Sequence, residues 1–176
     1  MISKIRISLL VVFMLIITGC GVYSFTGASI SPDIKTISIK YFYNDAGNGP
    51  PTLQQTFTEK IRDYYSQNTS LEFQNENGDL QLEGLITGYT INPVAVTASR
   101  NPNAIDNASA QRLTITVKVT YVNVKDDTYD FQNRSFSFFQ DFDPNASSLS
   151  SIEDQLIDEI TDQIILDIFN ATVANW

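Results

Sequence analysis

The chain of 176 residues has no histidine, one cysteine, one tryptophan and eleven basic residues against twenty acidic ones. Without histidine there is no Ser-His-Asp or Cys-His catalysis, and the usual zinc sites, built from imidazole and thiolate, are excluded. The lone Cys20 cannot form an intramolecular disulfide. No glycine-rich phosphate loop follows a strand, so nucleotide binding gains no support. A net charge of −9 disfavours nucleic acid, whose phosphates demand a clustered basic surface. The two close acid pairs, Asp126-Asp127 and Asp141-Phe142-Asp143, could in principle cleave a glycosidic bond. Both fall where turns or strand ends are expected and read as solvated turn carboxylates. No catalytic residue, cofactor or metal ligand is therefore expected, and a carboxylate hydrolase is the weakest of the readings considered.

What is present begins with a leader. Lys4 and Arg6 precede an apolar run from Leu9 to Ile17, followed by Thr18-Gly19-Cys20. Nine apolar residues span only about 14 Å as a helix, roughly half of a ~30 Å hydrocarbon core, so the segment reads as a signal peptide and not as a permanent anchor. Ile17-Thr18-Gly19-Cys20 resembles the bacterial lipobox, which makes Cys20 the expected lipidation site. One acyl chain binds a membrane only marginally, and the two or three chains of a bacterial lipoprotein would give stable anchoring. Cleavage after residue 19 removes two bases and no acids, moving the net charge from −9 to −11 over 157 residues. The expected organisation is a signal peptide over 1–19, a lipidated tether over 20–32 and one domain over 33–176.

Periodicity gives the elements. Thr36 to Tyr43 reads as a strand with Ile37, Ile39, Tyr41 and Tyr43 on one face and Ser38, Lys40 and Phe42 on the other. Turn residues follow, and Thr52 is a candidate cap for a helix to about Gln67 with Leu53, Phe57, Ile61 and Tyr64 or Tyr65 in one stripe. Leu71 to Phe73 and Leu80 to Ile91 read as extended chain. Gly84 and Gly88 suggest a bulge or a close approach of backbones, and Pro93 a bend or an edge. Beyond a polar loop over 99–109, Leu113, Ile115, Val117, Val119 and Tyr121 form the dry face of a long strand. Its other face carries Arg112, Thr114, Thr116, Lys118 and Thr120. A partner strand is expected over Phe131 to Phe142, and Ser150 with Glu153 suggests a capping box opening a last helix striped by Ile152, Leu156, Ile160, Ile164 and Ile168. From Asp126 to Trp176 eleven acids face one base, Arg134, which reads as a solvated helix face. The expected fold is α+β, two helices on one face of a mostly antiparallel four-stranded sheet in the order β-α-β-β-β-α.

Three stretches carry a family resemblance: Cys20-Gly21-Val22-Tyr23-Ser24-Phe25, Arg112-Leu113-Thr114-Ile115-Thr116-Val117, and Asp167 to Trp176. Together they resemble the lipopolysaccharide-assembly lipoprotein family LptE, in the form found in the Bacteroidetes. The resemblance implies a non-enzymatic outer-membrane lipoprotein that plugs and helps assemble the LptD β-barrel and contacts lipopolysaccharide on its way to the cell surface. An acidic protein cannot hold an anionic lipid by its overall field, so contact would rest on local cations. The candidates are Arg112 and Lys118 on the polar strand face and Arg100 in the preceding loop. The alternative reading is an unrelated envelope lipoprotein acting as a binding module or scaffold.

Overall fold

The computed structural model describes residues 30–94 and 110–174. Along the chain come β1 (Thr36–Ile39), β2 (Tyr43–Asn44), α1 (Leu53–Asn68), β3 (Glu72–Gln74), β4 (Leu80–Pro93), β5 (Gln111–Asn123), β6 (Phe131–Phe142) and α2 (Leu149–Thr172). A single 3-10 turn at Asp127–Tyr129 joins β5 to β6. The strands form one sheet in the order β3-β1-β4-β5-β6, and β2 pairs with β4 beyond the end of β1.

The α+β class and the two helices hold, but the sheet differs from expectation in number and direction. It has six strands and is mixed: β1 runs parallel to β3 and β4, and β2 parallel to β4. The β4-β5 and β5-β6 pairs are antiparallel. The physical reason is the connection, because a helical crossover through α1 returns the chain to the end where it began, so the next strand starts parallel to the first. The two extra strands, β2 and β3, are too short to show an alternation of their own.

The first strand also breaks. Ile37 and Ile39 are buried as expected, but Phe42 is fully buried and Tyr43 is 62% exposed, the reverse of the expected phase. Beyond Lys40, whose amide still donates to the Leu82 carbonyl at 2.9 Å, Tyr41 and Phe42 leave the ladder, and the Phe42 ring turns into the core against Phe57, 5.1 Å between centroids. The space it enters is provided by Gly84. A methyl group there would lie 2.5 Å from Phe42 Cε1 and 2.4 Å from the Lys118 carbonyl oxygen, so the close approach expected of this glycine is real. A bulge between Ile86 and Gly88 accounts for the other glycine. Pro93 lies where β4 pairs only with β5, since β2 ends opposite Ile86.

The dry face of β5 is as expected: Leu113, Ile115, Val117 and Val119 are fully buried and Tyr121 nearly so. Phe136 and Phe138 of β6 stand opposite Val117 and Ile115. A second bulge, where Asn133 adopts a φ of 51°, ends regular pairing near Tyr121; asparagine tolerates that left-handed conformation. From α1, Leu53, Phe57, Ile61 and Tyr65 reach one common core with Ile160, Ile164, Ile165, Ile168 and Phe169 of α2. Two buried hydroxyls are satisfied within it. Thr161 donates to the Ile157 carbonyl at 2.7 Å, and Thr172 lies 2.5 Å from the Tyr65 hydroxyl.

The expected capping box is not formed. The helix starts two residues earlier, with Ser148 at the cap position and Leu149 as its first residue. Glu153 instead accepts a hydrogen bond from the Tyr89 hydroxyl at 2.5 Å, tying α2 to β4. Thr52 occupies the cap of α1 without a side-chain capping bond.

Candidate functional site

Both helices cover one face of the sheet, and among the described residues no helix covers the other. Residues paired across strands share a face, so the register places Tyr43, Leu85, Lys118 and Ser135 in one row and Asn92, Arg112 and Asp141 in another. Between them lie Gly88, Thr116 and Ser137, then Thr90, Thr114 and Phe139. Small hydroxyl side chains line the middle, with the Thr116 and Ser137 hydroxyls 3.0 Å apart.

The two cations of this face stand at different ends and in different states. Arg112 donates from Nε and Nη2 to both oxygens of Asp141 at 2.6 and 2.8 Å, and its guanidinium lies 3.6 Å from the Phe139 ring centroid. The hydrogen bond to Arg112 lowers the Asp141 pKa, and the same bond raises that of Arg112. Its charge is already neutralised locally. Lys118 is exposed and has no carboxylate within ion-pair distance among the described residues. Six residues of strand separate the two, about 20 Å at roughly 3.3 Å per residue, so they do not form one cluster. Arg100 and Cys20 lie outside the described residues.

Lys118 borders a cleft of about 680 Å³ at the broken edge of the sheet. Its rim includes Tyr41, Tyr43, Leu85, Lys40 and Arg62. The Tyr41 and Tyr43 rings are 5.0 Å apart and tilted by 60°. Lys40 pairs with Glu83 at 2.5 Å, which raises the lysine pKa, and Arg62 donates to the Ile39 carbonyl at 2.7 Å. Arg62, Lys40 and Tyr43 were not singled out by the sequence. The strand alternation assigns Tyr43 to the core, and Arg62 stands on the solvent side of α1, with nothing in its neighbours to show that the break in the strand exposes both to one hollow. No group of three or more His, Cys, Asp or Glu side chains among the described residues is placed to hold a metal.

The family model described as LptE, lipopolysaccharide-assembly, matches residues 34–172, which include every element from β1 to α2. The chain belongs to the LptE family. Its fold is similar to that of a hypothetical protein from Chlamydia trachomatis, with a TM-score of 0.52, 9% identity, and coverage of 81% of this chain and 99% of that one. It is likewise similar to the uncharacterized lipoprotein B from Nitrosomonas europaea, with a TM-score of 0.50, 10% identity, and coverage of 85% and 87%. At such identities the likeness speaks for the shared fold alone. No curated protein matches the sequence significantly. Within this LptE-family fold no described helix is long and apolar enough to cross a membrane.

Proposed function

We propose that this LptE-family chain is an outer-membrane lipoprotein, acylated at Cys20, that plugs and helps assemble an LptD-type β-barrel and contacts lipopolysaccharide in transit. The observation that carries the reading is the family match across the whole α+β unit. The open, hydroxyl-rich sheet face supports it, because a plug must present hydrogen-bonding surface to a polar lumen. The work is binding and placement, with no catalytic step. In this reading the signal peptide ends at residue 19, residues 20–32 tether the domain over 33–176, and Arg112, Lys118 and Arg100 are the candidate lipopolysaccharide contacts.

Charge reversal on the open face tests it. The double variant Arg112→Glu with Lys118→Glu should fold, because exposed charges and surface ion pairs usually contribute under about 1 kcal/mol. It should nevertheless recover less barrel in a pull-down or bind less lipopolysaccharide, since repulsion replaces attraction. Unchanged values in both assays, from a protein with an unchanged circular dichroism spectrum, would return this face to the solvent.

A further inference from the structure

We propose that the outer edge of β6 is a self-association surface, on which two copies of the chain join their sheets antiparallel about a two-fold axis that passes between their Phe138 residues. Nothing in this pairing depends on lipopolysaccharide or on a barrel partner, so it stands apart from the assembly reading.

The two ends of the sheet are closed to different degrees. Its outermost strands are β3 and β6. β3 is three residues long, Glu72–Gln74, and carries an exposed charge; short, charged edges resist the addition of a strand. β6 has twelve residues, and among the described residues its ladder runs to β5 alone. Every second residue of such an edge turns its amide and carbonyl outward, where only water or another strand can meet them. The middle of β6, Ser135-Phe136-Ser137-Phe138-Phe139-Gln140, has three aromatic rings and no charge, proline or glycine. That is the composition of a segment that pairs with a copy of itself. Joining two β6 edges leaves only the short β3 edges free, so the association closes at a dimer and does not propagate.

Two independent observations select one register. The first is length: β6 pairs without interruption from Phe142 opposite Gln111 to Arg134 opposite Val119, and the bulge at Asn133 ends that run. Antiparallel self-pairing of the whole regular segment centres on Phe138, which then faces its own copy, and forms about eight to ten ladder hydrogen bonds. The second is charge. In that register Ser135 faces Asp141 of the second copy, and within the chain Ser135 is the partner of Lys118. Paired residues share a face, so one row across the joined sheet reads Leu85, Lys118, Ser135, then Asp141 and Arg112 of the second copy. Lys118 has no carboxylate within ion-pair distance among the described residues. Across the short Ser135 side chain it gains one, two strand spacings or about 10 Å away between backbones. The row repeats on the other side of the axis, and Phe139, 42% exposed, comes to lie opposite Ser137 of the second copy. A shift of two residues in either direction shortens the ladder and takes Asp141 out of the Lys118 row, while a shift of one sets open-face residues against core-face ones.

Sedimentation equilibrium of the full mature chain, in a detergent matched to the solvent density, tests the pairing. The wild type should associate reversibly to two chains per particle at micromolar concentration. Ser135→Glu places a carboxylate beside Lys118 within the chain but opposite Asp141 of the second copy, at both ends of the ladder, and like charges directly opposite destabilise a strand pair. Its dimer dissociation constant should rise by about tenfold or more. Ser135→Lys meets Asp141 with the opposite charge and should dimerise at least as tightly as the wild type. Ser135 is exposed, so both variants should keep the wild-type melting temperature. A wild type that stays monomeric, a Ser135→Glu dimer as tight as the wild type's, or equal weakening by both substitutions would each overturn the proposal. Failure to recover a barrel from membranes would instead overturn the assembly reading and leave the sedimentation to be judged by itself.

Discussion

Asp79 locks two segments that lie far apart in sequence. Its Oδ2 accepts from the Lys35 amide at 2.9 Å and from the Thr36 amide and hydroxyl, both at 3.1 Å, while Lys125 approaches Oδ1 at 3.3 Å. The Lys35 amide, the largest influence, and the Thr36 donors lower its pKa from 3.8 to about 2. The folded state therefore favours the carboxylate, and the stabilisation is present above pH 4 and lost as pH falls from about 4 toward 2. We expect Asp79→Asn to reduce stability at neutral pH and to make the melting temperature less sensitive to pH in that window. Parallel wild-type and variant curves between pH 4 and 2 would place the acid sensitivity elsewhere. Nothing local identifies this carboxylate, because its partners lie more than forty residues away. Gly84 was legible as a close approach, since a glycine inside an alternating strand leaves room where a side chain would otherwise stand. Its consequence was not: that Phe42 would fill the space and so reverse the faces of Phe42 and Tyr43 depends on which strands pair.

At the scale of elements, the long periodic segments were readable and the short ones were not. The faces of β5, the span of β6 and the stripes of both helices follow from local alternation, because burial on one side imposes it directly. β2 and β3 have two and three residues, and their place in the sheet is set by hydrogen bonds to remote strands. The capping pattern of Ser150 and Glu153 failed because Tyr89 competes for that carboxylate and the helix gains an earlier start. The stripe of α2 is the element most exposed to a single change. Ile160 is fully buried, so Ile160→Asp would place an unpaired carboxylate in the core and remove apolar contacts. A loss of about 3 kcal/mol or more is expected, a large share of the 5–15 kcal/mol typical of a domain. Thermal circular dichroism should show a midpoint lower by about 10 °C or more, or no folded baseline. An unchanged midpoint would mean that this stripe does not carry the core.

For the whole molecule, the division of labour is between a helix-covered face that makes the core and an open face that the proposed role assigns to a partner. Arg112 and Lys118 were legible as polar-face cations, but their inequality, one bound by Asp141 and the other without a carboxylate partner among the described residues, arises from β6 and the broken edge together. Anchoring is a separate requirement of the proposed role. Cys20→Ala should leave the precursor uncleaved by lipoprotein signal peptidase and without label after growth with a radiolabelled fatty acid; labelling equal to wild type would refute acylation at Cys20. The central claim, that the chain is the lipoprotein partner of a barrel, is tested most directly by affinity purification from detergent-solubilised outer membrane followed by mass spectrometry. The account predicts that a large β-barrel of the LptD type is recovered in fixed ratio with the chain. Recovery of the intact chain from that membrane with no such barrel would contradict it.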